Sequence, residues 1–400
     1  VSLLLLLVGA WLAGLGGQSM IDPVFCTGCE AVVQNPAALV LPGGPPASLN
    51  WFGARLRLAS NGFTLGDYGR YLARPTFLTD QDEQNILNEI GTGPLELEVS
   101  TDIEILHARY KWLGAGIDYQ WVLAQSLPRN LFEIAFRGNE LNRAYDLSGF
   151  ATDSLALLRA TVAGGLPVGE RAGIGIGLSW LHGFNYVLTT ASTGELKTTP
   201  YAISGYMTET RTQADGGDGF AVSLGGALRL NESWQLGASL RDLPSRIWWH
   251  GNPGVRQFGA ELESLNASRY RIKPSLDSFL LRTSTFNPGP AFTVSLPGVA
   301  ALGAGFTPNE VVRVAAVINL RLWSDPFLPE PPLAAARVDV RPLRSVQVSV
   351  MPGWHMHKGP GGHVAVGFLI RGMVVAFDTE AWGLPSVSTA LLRVRLGYDY

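Results

Sequence analysis

LLRVRLGYDY, residues 391–400, places Leu392, Val394, Leu396, Tyr398 and Tyr400 on one face and Arg393, Arg395, Gly397 and Asp399 on the other. This is strict period-two alternation running into an aromatic carboxyl terminus. A strand tilted through a bilayer needs about nine to eleven residues, with one face toward lipid and the other toward a polar lumen. An Arg on the lipid face at mid-bilayer costs about 2–4 kcal/mol, so the Leu/Val/Tyr face points outward. An amphipathic edge strand of a soluble sandwich shows the same alternation, and the rest of the chain has to decide between the two.

The pattern recurs along most of the sequence. In the first strand Phe52, Ala54, Leu56 and Leu58 oppose Arg55 and Arg57. Leu97, Val99, Thr101, Ile103 and Ile105 then oppose Glu96, Glu98, Asp102 and Glu104, and Ile117, Tyr119, Trp121 and Leu123 oppose Asp118 and Gln120. Toward the end Val312, Val314, Ala316, Ile318 and Leu320 face away from Arg313, Asn319 and Arg321, as Ala336, Val338 and Val340 do from Arg337, Asp339 and Arg341. Trp51, Trp234, Trp323, Tyr398 and Tyr400 stand near strand ends, where aromatic girdles meet the membrane interfaces. Tight connections at 341–344 and 371–372 alternate with longer ones at 323–332 and 352–362, the asymmetry of a membrane barrel. Loops that include 323–332 and 382–385 also carry apolar residues that a protein partner would cover.

Composition agrees. The 400 residues include 47 Gly, only 16% are charged, and the net charge of −3 lacks the basic excess that nucleic-acid binding requires. Residues 172–194 and 286–309 carry no charge, but alternating Gly173, Gly175 and Gly177 in the first and Pro288, Pro290, Pro297 and Pro308 in the second exclude spanning helices. Residues 1–19 have the length and apolarity of a signal peptide without its basic start, and a single anchoring helix is the alternative. The expected organisation is a signal peptide (1–19), an irregular amino-terminal segment (20–49), and a transmembrane antiparallel β-barrel of about 14 strands, with 12–16 allowed (50–400), and inserts at 66–94 and 127–150. The first insert holds a short helix, with Asp80 as N-cap, Glu83 as its capping-box partner, Ile86, Leu87 and Ile90 on one face, and Gly91 as terminator. Both inserts are apolar enough on one face to pack on the wall or in the lumen.

Chemistry is sparse. Cys26 and Cys29 are the only cysteines; as C-x-x-C without further ligands they form either a small disulfide loop or two free thiols. His355, His357 and His363 fall in a segment that reads as a long loop, where solvated histidines are ordinary, so no metal site is assigned. His107, His182 and His250 have no adjacent nucleophile motif, which argues against an enzyme, and no cofactor motif is present. Glu98, Asp102 and Glu104 on early strands and Arg313, Arg321, Arg337, Arg341, Arg393 and Arg395 on late ones are expected to line the lumen. Inward charges need partners or water; set on opposite walls they would also make a transverse field.

QNPAALVLPGG, holding Asn35, Pro36 and Ala37 just ahead of the first strand, resembles the Asn-Pro-Ala element of FadL-like outer-membrane proteins, a superfamily that includes PorV-type secretion barrels. The insert LPRNLFEIAFRGNELNRAYDLSG and the Gly-alternating strand ending in WLHGFNY resemble an uncharacterised branch of large barrels common in Bacteroidota and related phyla. The resemblance implies a bacterial outer-membrane barrel in Gram-negative lipid whose amino-terminal segment folds into the lumen as a plug, with Asn35, Pro36 and Ala37 at a turn within it. In transporting members the plug and a wall kink let an apolar ligand leave sideways into the bilayer. Three functions follow as alternatives: passage or presentation of a hydrophobic small molecule, a non-transporting barrel that binds a secretion or surface protein partner, and a polar pore.

Overall fold

Period-two alternation with outward Leu, Val, Ile and Trp produces strands throughout the chain. The computed structural model describes residues 22–399 apart from 43, 63, 65–66, 68–69, 71–77, 266–278, 324–332, 344, 356–358, 371–372 and 383–388. The leader 1–19, parts of the first insert, the turn at 371–372, the loop residues 324–332 and 383–388, and Tyr400 therefore lie outside the described residues. The strands in chain order are β1 (Ala47–Ser60), β2 (Leu95–Tyr110), β3 (Leu113–Leu127), β4 (Ala144–Asp146), β5 (Ala151–Val168), β6 (Ala172–Thr198), β7 (Ile203–Ala214), β8 (Gly216–Arg229), β9 (Trp234–Arg241) and β10 (Ser245–Gly251). They continue with β11 (Gly254–Leu265), β12 (Leu280–Pro288), β13 (Phe292–Val294), β14 (Val299–Phe306), β15 (Val312–Arg321), β16 (Ala334–Leu343), β17 (Val346–His355), β18 (Gly359–Ile370), β19 (Met373–Trp382) and β20 (Thr389–Asp399).

Fourteen of these close a wall. β1, β2, β3, β5, β6, β8, β9, β14, β15, β16, β17, β18, β19 and β20 pair antiparallel in that order, and β20 returns to β1 through Ser48↔Asp399 to Ala59↔Thr389. Closure leaves no open wall edge, which a membrane barrel requires because lipid offers nothing to an unpaired N–H. Residues 111–112, 169–171 and 230–233 make short turns at one end, whereas 61–94, 128–150 and 242–298 make long connections at the other. With an even strand number, β1 begins and β20 ends at the short-turn end. No helix among the described residues is long and apolar enough to cross a membrane.

β6 shows the sidedness. Ile174, Ile176, Leu178 and Trp180 are exposed on the outside, while glycines alternate with them on the inside. Trp51, Trp234 and Trp323 are likewise exposed, and the Trp234 ring lies 4.8 Å from that of Phe306. β6 is 27 residues long, well beyond the roughly nine to eleven that a spanning strand needs, so it projects past the wall at the long-loop end. There β7 pairs with its outer half, β11 with β7 and β12 with β11, forming a blade.

Several expectations are corrected. The insert helix α2 (Asp80–Ile90) is capped by Thr79 and Asp82, not Asp80 and Glu83: Thr79 Oγ1 accepts from Asp82 N, and the Asp82 carboxylate accepts from Thr79 N. The frame shifts by one residue because Thr79 is the last extended residue before the helix. Residues 352–362 are mostly not a loop. Pro352 pairs with Gly362 and His355 with Gly359, leaving 356–358 as the connection, because Gly359, Gly361 and Gly362 sit in a ladder rather than a turn. The segment 20–49 is not wholly irregular, since it contains helix α1 (Glu30–Gln34), a 3-10 turn (Pro36–Val40) and the start of β1. The two inserts pack on one another as well as on strand ends: Ile86 and Ile90 of α2 meet Leu95, Leu127, and Phe132 and Phe136 of helix α3 (Arg129–Arg137).

Candidate functional site

The amino-terminal segment meets inward-facing positions on strands from β3 round to β15. A Cβ added to Gly114 on β3 would strike Val32, one on Gly165 of β5 would lie 2.9 Å from Val40, and one on Gly173 of β6 would lie 2.9 Å from Ala37 O. Gly225 on β8 faces Asn35 and Ala37, Gly237 on β9 faces Pro23, and Gly303 and Gly305 on β14 face Val24 and Phe25. Val24 and Phe25 also pack on Ala315 and Val317 of β15. A segment touching all these strands lies within the lumen. The missing side chains on the wall are what let its backbone come so close.

Asn35, Pro36 and Ala37 are all buried. Asn35 Oδ1 accepts from Ala37 N at 3.1 Å and so caps the 3-10 turn, while Pro36 occupies its first position, where no N–H is needed. Asn35 Nδ2 donates to Pro23 O at 2.7 Å and to Gly226 O at 3.2 Å, tying the turn to the start of the segment and to β8. A Cβ at Gly173 or Gly225 would press on the Ala37 backbone, within 2.9 Å of its O and 2.8 Å of its N. Further ties come from the wall: Arg109 Nη2 donates to Leu39 O at 2.7 Å and Gln235 Nε2 to Val24 O at 2.6 Å. Arg337 pairs with Asp22 at 2.8 Å, and Asp22 Oδ1 accepts from Val24 N and Phe25 N.

The charged candidates fall into local sets rather than opposed walls. Asp102 pairs with Arg55 at 3.2 Å, Glu98 with Arg57 at 2.9 Å, and Glu104 accepts from Asn50 Nδ2 at 2.6 Å, all between β1 and β2. Arg337 also holds Asp339 at 2.8 Å, Arg313 lies over the Phe25 ring at 5.9 Å, and Arg341 Nε donates to Gln347 at 3.2 Å. Arg321 pairs across β14 with Val299. Arg393 and Arg395 stand in register with Arg55 and Gly53 of β1; their side chains lie outside the described residues.

Cys26 and Cys29 are buried and not joined to each other. Cys26 packs among Ala31, Val32, Ala38, Leu39 and Ala163, and burial, followed by the nearby Asp22 and Glu30 carboxylates, pushes its thiol well up. Cys29 Sγ donates to His107 O at 3.2 Å. His107 pairs with Asp118 at 2.7 Å, and on the exterior His182 and His250 flank Asp218 at 2.9 and 3.1 Å. His355 is buried and His363 stands opposite Met351, while His357 lies outside the described residues. No cluster of three or more His, Cys, Asp or Glu among the described residues is arranged to hold a metal ion.

Above the contacts of the amino-terminal segment the wall is interrupted on two neighbouring strands at the same height. β9 pairs with β14 up to Arg241↔Val299, and β10 resumes with β13 only at Ile247↔Val294. The intervening residues 242–244 and 295–298 lie outside both ladders, and Ser245 Oγ donates across to Leu296 O at 2.9 Å. β8 runs unbroken behind, with Leu243 N donating to Val222 O and Val222 N to Pro244 O. Asp242 is fully buried with φ +57°, an uncommon conformation for a residue with a side chain, and takes two hydrogen bonds from Arg159 of β5 at 2.5 and 3.1 Å. Leu296 turns inward onto Ile247, Trp249, Tyr186 and Leu157. Sequence reading missed Arg159, Asp242 and Leu296; the signal available was Pro244 following an alternating strand, since an interior Pro denies the ladder a donor.

No family model matches the chain, and no curated protein sequence is significantly similar to it. Solved structures are similar. The Pseudomonas putida toluene transporter TodX aligns at 12% identity over 96% of this chain and 99% of its own, with a TM-score of 0.55. The Ralstonia pickettii toluene transporter TbuX aligns at 12% identity over 96% and 99%, with a TM-score of 0.52. The monoaromatic hydrocarbon channel CymD aligns at 13% identity over 97% and 98%, with a TM-score of 0.50. The chain thus shares the closed 14-strand architecture of the FadL/TodX family of outer-membrane barrels at low sequence identity.

Proposed function

We propose that this chain is an outer-membrane channel that takes a hydrophobic small molecule into a plugged lumen and releases it sideways through the interruption beside β9 and β14. The observation that carries the reading is the adjacency of two features. Gly237 and Gly303, on β9 and β14, seat Pro23 and Val24 of the plug, and the same two strands lose their pairing a few residues higher. A plug on an unbroken wall would only block; a broken wall without a plug would leak. Together they suit a ligand that never needs a continuous aqueous path, which also speaks against the polar pore. That similar structures are described as toluene transporters and a hydrocarbon channel supports the class of cargo.

A second reading, a barrel that holds a secretion or surface protein, draws on the blade. Its last strand, β12, pairs only with β11 among the described residues and is largely exposed, leaving an edge that another chain can extend. Mass spectrometry of protein extracted from native outer membranes in mild detergent separates the two. A stoichiometric apolar small molecule is expected; a stoichiometric protein partner without one overturns transport in favour of the second reading.

A further inference from the structure

Directly above the plug seat, one row of inward positions crosses three strands: Ser239 on β9 is in register with Ala301 on β14, and Ala301 with Asn319 on β15. Their inward aim follows from alternation, since Gly237, Gly303 and Val317, two residues along on the same strands, touch the plug. Ser239 is 4% exposed and Asn319 2%, yet Ser239 Oγ, Asn319 Oδ1 and Asn319 Nδ2 have no hydrogen-bond partner among the described residues. Leaving such groups unmet is costly. The next row up is Arg241, Val299 and Arg321, at the lower lip of the wall interruption.

The unmet groups of this row, an amide and a hydroxyl, are neutral. Of the charges one row up, Asp242 is held by two bonds from Arg159 and Arg241 lies 3.9 Å from the same carboxylate, while Arg321 is engaged elsewhere and its buried Nε makes no hydrogen bond among the described residues. An amide and a hydroxyl offer both donors and acceptors, which matches a hydroxyl or carbonyl better than a hydrocarbon or a carboxylate. Val299, which packs on Ala301, supplies an apolar neighbour to the row. We infer that Ser239 and Asn319 form a headgroup subsite for an apolar molecule carrying one neutral hydrogen-bonding group, an alcohol or ketone, held at the threshold of the lateral opening. The inference rests on the transport reading and narrows its substrate class.

The test titrates the purified full chain in lipid nanodiscs with p-xylene, 4-methylbenzyl alcohol and 4-methylbenzoate, subtracting partition into empty nanodiscs. The alcohol is expected to bind about tenfold more tightly than p-xylene, with no further gain for the benzoate. Asn319→Leu, close in volume, should remove most of that advantage while leaving p-xylene affinity within about twofold, and Ser239→Ala should remove less. Persistence of the heat-modifiable folded band on gels confirms that each variant remains a barrel. Equal binding of p-xylene and the alcohol, or an Asn319→Leu loss shared by all probes, would mean that the polar atoms serve only water and would overturn the inference alone. Tightest binding of the benzoate would replace it with an anion site. Binding of none of the three above the empty-nanodisc control would remove the transport reading and the inference with it.

Discussion

The lower and upper halves of the lumen are built on opposite rules. Below, glycines on β3, β5, β6, β8, β9 and β14 let the amino-terminal segment press backbone to wall, and Asn35, Arg109 and Gln235 tie its carbonyls and turn in place. Above, two strands stop and restart, and Asp242 adopts a left-handed conformation in a fully buried position. Tight packing has one arrangement, whereas an interrupted ladder leaves room for a second. The difference locates rigidity at the plug seat and change at the wall.

The largest break in this comparison comes from filling the wall beneath the plug. Gly175→Val puts a branched side chain onto the backbone between Pro36 and Ala37, which has no side-chain freedom with which to yield. The barrel should still close, because Ile174 and Ile176 keep its exterior, but the plug should leave its seat. Planar-bilayer recordings are expected to change from a closed lumen to an open pore. An unchanged conductance would show that the seat tolerates what the contacts forbid.

The upper half is tested next by Arg159→Met, which strands the buried Asp242 carboxylate and should cost about 3–5 kcal/mol in denaturant unfolding. Pairing it with Asp242→Asn should return much of that loss, since the uncompensated charge is gone and Asn tolerates the left-handed conformation. If the single variant is neutral, the Arg159–Asp242 contact does not hold the wall interruption. Asn35→Ala is expected to be milder. It removes the cap on Ala37 N and the bonds to Pro23 O and Gly226 O, for about 2–3 kcal/mol, read as lost hydrogen-exchange protection of Ala37 and Ala38.

How much of this was legible follows from where the controlling contacts lie. Period-two alternation is local, so the exterior of β6, the Arg face of β1 and a strand number near fourteen could be read directly from residues such as Ile174, Ile176, Arg55 and Arg57. The Asn35–Pro36–Ala37 turn was legible as a motif, but its purpose depends on Gly175, Gly225 and Gly237, which in sequence are indistinguishable from glycines that merely weaken a strand. Arg159 and Asp242 are 83 residues apart, and no local pattern joins them. The reading of 352–362 as a loop failed because Pro and Gly signal turns only where no neighbouring strand is available to pair with them, and here β17 and β18 pair with each other.

The smallest effect concerns the inserts, which belong to neither half of the lumen and so serve as a control on the comparison. Glu133 on α3 is partly desolvated, which would raise its pKa, but hydrogen bonds from Arg129 at 3.1 Å and Arg143 at 2.6 Å outweigh this and hold it below the usual carboxylate range. Arg129, oriented by that pair, donates to Leu87 O at 3.0 Å and so joins α3 to α2. A carboxyl depressed in the folded state contributes stability that is complete above its unfolded value and lost as pH falls through the folded one. Hydrogen-exchange protection of α2 and α3 should therefore weaken between about pH 6 and about pH 3, and Glu133→Gln should flatten that dependence. Glu133→Gln should leave protection of the plug amides unchanged, because the plug is tied through Arg109, Gln235 and Arg337 of the wall and not through the inserts. If plug and inserts loosen together, the long-loop end is coupled to the lumen floor, and the separation of a rigid seat from a changeable wall is too simple.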